Sequence, residues 1–264
     1  MKLAARIVGV GLVGPGLAGW NASRAILAGQ ASYEPRATVL PSPDALPPTE
    51  RRRAGKSVRL ALGAGLEAAG ASGIAARDLV ATFASSTGDG ENVHAICEVL
   101  ASDDRMISPT RFHNSVHNAP SGYWGIATGA MQASDSLAAY DASFGAGLLE
   151  ALTRLARDPA LPVLLVSYDA PYPEPLHACR PLPDCFACAL VLTADRPGAS
   201  GTPVTASLGD APPTQLGDRA FEALRLGIPA ARSLPLLIQL ARAAAGRVVI
   251  EYLAGLSIAV EMGA

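Results

Sequence analysis

The chain has 264 residues, a formal net charge of −2 and a sequence pI near 6.1. That is enough length to bury a real core, as one domain or two small ones, and too little net charge for a field that would favour nucleic acid. Charged residues make up 17% and hydrophobic ones 50%, against roughly 25% charge in ordinary soluble domains, so apolar surface must be hidden and a partner subunit is one place to hide it.

No apolar run reaches the ~18 residues of a membrane span. The first ten residues pass straight into a strand-like pattern without the features of a signal peptide. Four cysteines without a disulfide framework point to a reducing, cytoplasmic setting.

In chain order, Arg6–Leu12 is a short apolar strand ending in Gly14-Pro15-Gly16. Gly9-x-Gly11-x-x-Gly14 outlines a dinucleotide fingerprint. However, its first Gly lies inside the strand, and Pro15-Gly16 would break the helix the fingerprint needs, so the reading is plain strand and loop. Asn21–Leu27 reads as a helix capped by Asn21, and 30–49 as proline-rich loop. Glu50-Arg51-Arg52-Arg53 opens an amphipathic helix with Val58, Leu60, Leu62 and Leu66 on its buried side, ending near Gly70. Basic residues at a helix start oppose the dipole, which singles out Arg51, Arg52, Arg53 and Lys56 as candidates for an acidic partner.

Leu79–Ser85 is a second buried strand, followed by a helix over Glu91–Leu100. A small-residue helix spans about Ser121–Ala133, with Asn118 as its cap. The strand Ser136–Tyr140 runs into Asp141-Ala142-Ser143 and a further helix to Leu155. A strand-to-helix turn of this kind is where α/β enzymes expose a nucleophile. Asp141 in that turn is also a favourable helix cap. Pro162–Tyr168 is apolar throughout, as strands buried on both faces are, and Phe186–Thr193 gives another strand. Residues 197–217 read as loop with one edge strand at Val204–Leu208, Leu234–Ala245 as a helix, and Arg247–Leu253 with Leu256–Met262 as a hairpin around Ala254-Gly255. Strands alternating with helices to about 195 imply a layered α/β sheet closed by an antiparallel hairpin.

Two constellations could carry chemistry. Cys185-x-x-Cys188, with His177 and Cys179 upstream, invites a metal reading, but the two cysteines start a strand, where a three-residue offset places them on opposite faces. Ser115, Ser121, Ser136 and Ser143 lie near His113 and His117. A stand-alone acyl-thioester hydrolase or transferase using Asp141 and His117 can be drawn from these, although no Gly-x-Ser-x-Gly elbow is present.

Arg6–Leu12 with Pro15, Glu50-Arg51-Arg52-Arg53 before an Ala/Leu helix, and Phe112–Gly122 (FHNSVHNAPSG) together resemble the β-ketoacyl synthases. Ser136–Ser143 is similar to the strand and turn that carry that family's nucleophilic cysteine, and Arg180-Pro181-Leu182-Pro183-Asp184 to its Arg-Pro-Phe-Asp segment. The resemblance spans about residues 5–196. It implies a thiolase-like layered α/β/α fold, essentially the N-terminal half (1–196), with a reduced C-terminal helix and β-hairpin (197–264) packed as part of the same domain.

By this alignment Asp141 occupies the nucleophile position, and no His lies beyond His177 to match the family's two catalytic histidines. The resemblance therefore implies no catalytic residue, cofactor or metal, and no independent activity. It is nearest to the truncated, chain-length-factor members of aryl polyene-type pathways, subunits of a 3-oxoacyl-acyl-carrier-protein synthase complex. It thus implies pairing with a full-length ketosynthase, and contact with an acyl carrier protein through Arg51, Arg52, Arg53 and Lys56. Phe112, His117, Tyr123, Trp124, Met131 and Tyr140 are the implied interface or chain-gate residues. A self-associating structural protein is the remaining alternative.

Overall fold

The computed structural model describes residues 2–263. Strand β1 (Lys2–Gly14) lies in the middle of a mixed sheet. To one side of it run β6 (Phe186–Thr193), β5 (Val163–Asp169), β3 (Val80–Ala84) and, at the edge, β4 (Ser134–Leu137). To the other side run β7 (Thr202–Gly209), β9 (Leu256–Met262) and, at the far edge, β8 (Gly246–Leu253), while β2 (Leu17–Ala18) pairs back on β1. Strands β3, β4 and β5 are parallel, and every other pairing is antiparallel.

The two faces differ in side-chain size, and this sets the layers. On β6, Phe186, Cys188, Leu190 and Leu192 enter one core cluster, and Ala187, Ala189 and Val191 enter the other. The small-residue face receives helix α3 (Lys56–Ser72), which lies directly on β1, β6 and β5. Gly9 and Gly11 make that approach possible: a Cβ on Gly11 would stand 1.9 Å from Ala64 O, and one on Gly9 2.1 Å from Ala68 O. The glycines of the fingerprint outline thus serve strand–helix packing. The large-residue face is covered by α7 (Ser143–Arg157), whose Phe144, Leu148, Ala151, Leu152 and Leu155 recur at helical spacing, and by α10 (Leu234–Arg242). The result is a three-layer α/β/α arrangement.

Several elements differ from the sequence reading. The basic helix is broken: α2 covers Pro48–Arg53, Ala54 is extended, and α3 starts afresh at Lys56. A Cβ on Gly55 would stand 2.8 Å from the Asp89 carboxylate, which would have to shift. Arg51, Arg52 and Arg53 therefore occupy the last turn of a short helix, where the dipole favours cations. The first helix, α1, runs Trp20–Leu27 with Gly19 as its cap, so Asn21 lies inside it.

Helix α4 spans Gly90–Ala101 and α5 Pro109–Asn114. Helix α6 is Ala119–Thr128, ended by Gly129 at φ +71°, several residues before Ala133. Asn118 holds its N-cap position without a side-chain bond. A short helix α8 (Leu176–Cys179) interrupts the loop after β5. Strand β7 is an interior strand, hydrogen-bonded to both β1 and β9. Helix α9 (Arg219–Gly227) and a 3-10 turn at Pro229–Ser233 fill the stretch between the loop read over 197–217 and the helix read from Leu234. Cys185 and Cys188 enter opposite core clusters. Among the described residues no helix is long and apolar enough to cross a membrane.

Candidate functional site

Strands β3, β4 and β5 end on the same side of the sheet, and in open α/β sheets that is where chemistry collects. Asp169 closes β5 and is completely buried. Its Oδ1 accepts from the backbone N–H groups of Ser86 (2.8 Å) and Thr87 (3.1 Å) and from the Ser85 hydroxyl (3.1 Å). Its Oδ2 accepts from Ala230 N–H at 2.8 Å. One carboxylate thus pins the loop after β3 to the 3-10 turn before α10. Burial pushes its pKa up to about 6, against the pull of these donors.

At the end of β4, Tyr140 takes a left-handed φ of +52° and Asp141 follows in a single 3-10 turn. The N-cap of α7 is Ala142, with no side-chain bond, so Asp141 is not the helix cap the sequence suggested. Its carboxylate is held by two guanidinium groups instead: Arg180 Nη2 at 2.7 Å from Oδ1, and Arg232 Nη2 at 3.2 Å from Oδ2. Arg180 also donates to Ser86 Oγ at 2.9 Å and stacks 3.5 Å over the Tyr140 ring.

The charges continue inward. Arg232 Nη1 lies 2.5 Å from Glu251 Oε2, and Arg225 Nη1 lies 3.7 Å from the same oxygen. Arg225 makes a two-pronged bond to Glu222 at 2.7 and 2.8 Å. Side chains of Arg225 and Arg232 are only 6% and 9% exposed. The series Arg180, Asp141, Arg232, Glu251, Arg225, Glu222 alternates in sign and sums to zero, which is what allows two arginines to be buried. Arg225 beside it holds Glu222 down at a pKa of about 2.

No hydrolytic triad is assembled among these residues. His117 Nε2 donates to Leu137 O at 3.1 Å, and the Asp141 carboxylate is taken by arginines. The hydroxyls of Ser115, Ser121 and Ser143 donate to Phe112 O, Asn118 O and Tyr140 O. Both oxygens of Asp141 face cations, so the group is neutralised where a nucleophile would need to be free.

The remaining sequence candidates divide. Tyr123 and Trp124 are core residues, 1% and 2% exposed. Tyr123 donates to Asn114 Oδ1 at 3.0 Å, and Trp124 packs edge-on against Phe83 and over Gly65. Tyr123 nonetheless forms part of the wall of a surface groove, whereas Trp124 lies within the core. Phe112, Met131 and Tyr140 are 67%, 95% and 67% exposed. A groove of about 510 Å³ runs between Phe112, His113, Val116, Gly122, Tyr123 and Ile126, while Met131 and Tyr140 lie three residues before and after the edge strand β4. Of the basic candidates, Arg51 pairs with Asp44 (3.5 Å), Arg53 with Glu50 (3.2 Å) and Lys56 with Glu91. Among the described residues Arg52 alone of the four has no carboxylate partner.

Sequence reasoning missed Asp169, Arg225, Arg232 and Glu251. The available signals were an acid closing an apolar strand in Ser167-Tyr168-Asp169, and a lone Arg in the apolar run Ile228–Leu234.

Three comparisons bear on this geometry. A family model described as "Beta-ketoacyl synthase, N-terminal domain" matches residues 22–221. No curated protein matches the sequence. Among solved structures, a chain of a ketosynthase in complex with its chain length factor from Xenorhabdus doucetiae is 22% identical, with a TM-score of 0.74 over 98% of this chain and 99% of that one. A chain of the ishigamide ketosynthase/chain length factor is 15% identical, with a TM-score of 0.71 over 98% and 99%. A chain of a type II acyl-carrier protein in complex with its ketosynthase bound to the hexaketide is 12% identical, with a TM-score of 0.76 over 100% of both. At these identities the likeness is one of fold, the thiolase-like layered α/β/α arrangement, shared over the whole chain.

Proposed function

Because the chain belongs to the β-ketoacyl synthase N-terminal-domain family, we propose that it is a non-catalytic, chain-length-factor-like subunit. It pairs with a ketosynthase in polyketide, aryl polyene or fatty-acid-like biosynthesis and shapes the acyl channel of the pair. The observation that carries this reading is the apolar surface beside the unpaired edge of β4. There Phe112, Val116 and Ile126 stand exposed around one groove, with exposed Met131 and Tyr140 just before and just after β4 in the chain, a concentration that marks interaction surfaces. An open strand edge beside it offers backbone groups to a second sheet. The solved neighbours described as ketosynthase and chain length factor assemblies support the same choice of partner.

The absence of independent activity rests on Asp141. A carboxylate held by Arg180 and Arg232 cannot take up an acyl chain as a thiolate does. Contact with an acyl carrier protein runs through Arg51, Arg52, Arg53 and Lys56 in this reading, and Arg52 alone of the four has no carboxylate partner among the described residues.

The test is co-expression with a full-length ketosynthase of the same pathway. Co-elution as a stable heterodimer is expected, and failure to co-purify rejects the reading. Native mass spectrometry of the chain alone separates it from a self-associating structural protein, which would form homo-oligomers and ignore the ketosynthase.

A further inference from the structure

At the opposite end of the sheet from β4, beside the far edge strand β8, lies a cleft of about 640 Å³ that the subunit reading leaves unused. Its base holds the buried apolar side chains of Leu27 from α1, Phe221 from α9, Ile238 from α10 and Val248 from β8, and polar residues such as Gln30, Thr214 and Gln239 line its walls. Tyr33 forms a wall, its ring 4.5 Å from that of Phe221 and its hydroxyl fixed to Pro15 O. The rim carries Arg242 and Arg247.

A tight turn sets these two arginines at either side of the connection from α10 to β8. Ala243 takes a left-handed φ of +49°, the Gln239 amide donates to Ala244 O at 2.9 Å, and a Cβ at Gly246 would meet that amide at 2.4 Å. Elsewhere Arg225 and Arg232 have carboxylate partners. Arg242 and Arg247 have none within 4.0 Å among the described residues, although Glu261 sits opposite Arg247 in the β8–β9 register. Asp218, the acid lining the cleft, accepts from Ala220 N–H and Phe221 N–H with Oδ1.

We propose that this cleft binds a small amphiphile with an oxyanion head, the head at Arg242 and Arg247 and the apolar body on Phe221, Ile238 and Val248. The volume is that of a small-molecule site. Two unpaired guanidinium groups at one rim suit a carboxylate or a phosphate monoester, whose planar or forked oxygens they can grip in pairs. An apolar base behind a cationic rim selects against a free inorganic anion and against an uncharged chain alike. The site stands apart from the proposed ketosynthase surface, so either idea can fail without the other.

The experiment is calorimetric titration of the full chain, alone and in its ketosynthase complex, with decanoate, decyl phosphate, decanol and inorganic phosphate. Binding of decanoate or decyl phosphate, whichever head is preferred, supports the proposal if decanol and inorganic phosphate bind at least tenfold more weakly. Arg242→Ala and Arg247→Ala should each weaken binding roughly tenfold with the melting temperature unchanged, since both side chains are exposed. Arg242→Lys should retain more affinity than Arg242→Ala. Equal affinity for decanol and decanoate, unchanged binding in the double arginine variant, or no binding of either charged amphiphile would each overturn it.

Discussion

Arg180 Nη2 and Asp141 Oδ1 stand 2.7 Å apart, with the Arg180 guanidinium also lying over the ring of Tyr140. This pair joins the loop after β5 to the turn before α7, and Arg232 on the other oxygen of Asp141 joins both to the C-terminal segment. Removing the carboxylate leaves two mostly buried cations facing each other. Asp141→Ala should therefore destabilise the fold by about 1–3 kcal/mol, less than a fully buried pair because the Asp141 side chain is 43% exposed. Asp141→Asn, which keeps the shape and removes the charge, should lose similar stability. Urea melts of the two variants check this. An Asp141→Ala protein as stable as the parent would contradict the structural role given to this carboxylate.

Much of this fold was legible because it is written in local apolar runs. Strands β5 and β6 and the β8–β9 hairpin need no distant partner to be recognised. The failures have physical causes. Helix α9 hides its period because Arg225 occupies a buried position where an apolar residue is expected. Strand β7 reads as an edge strand within a Gly/Pro/Thr-rich loop, and only the folded chain brings β1 and β9 to its two sides. The charged series around Asp141 is the hardest case. Its members come from residues 141 to 251, and only the folded chain brings Arg232 and Glu251 to a turn a hundred residues upstream. The apparent vacancy at Asp141 was readable, and its occupation by arginines was not.

The fit of α3 on β1 gives a second prediction. Gly11→Ala would place a methyl 1.9 Å from the Ala64 carbonyl oxygen, which is rigid helix backbone. The helix must lift off the sheet, and a loss of at least about 1–3 kcal/mol follows. Gly70→Ala, near the end of the same helix with nothing within 4 Å, should be neutral or slightly stabilising. Thermal melts of the two variants side by side isolate the steric term from helix propensity.

Acid and neutral limbs of the stability curve should come from different carboxylates. Asp169 keeps its proton in the folded state up to about pH 6, whereas the unfolded chain releases it near 3.9. The folded state binds more protons in that window, so this group's contribution to stability falls as pH rises from about 4 to 6. Glu222 behaves oppositely. Its pKa is held near 2 by Arg225, so its contribution is present above the unfolded value of about 4.3 and is lost as pH falls toward 2. Asp169→Asn should flatten the limb between 4 and 6, and should lower stability throughout because an amide nitrogen then faces a backbone N–H of Ser86, Thr87 or Ala230. Glu222→Gln should flatten only the acid limb. Chemical denaturation at half-unit pH steps distinguishes them.

The apolar surface by β4 separates folding from partnering. Trp124 is buried against Phe83, so Trp124→Ala should cost about 3–5 kcal/mol, and any change of product length in that variant would report unfolding. Phe112 and Ile126 are 67% and 47% exposed, and Phe112→Ser with Ile126→Ser should move stability by less than about 0.5 kcal/mol. In the proposed heterodimer the same two side chains pass from water into an interface. Their loss should weaken co-purification with the ketosynthase at least tenfold, on the scale of burying two large apolar side chains. Arg52→Glu adds a control on the other basic surface: it should leave the heterodimer intact and weaken carrier-protein binding in a salt-dependent way. If the double serine variant still co-purifies at full yield, the surface around Phe112 and Ile126 is not the interface, and the open edge of β4 must be covered by something else.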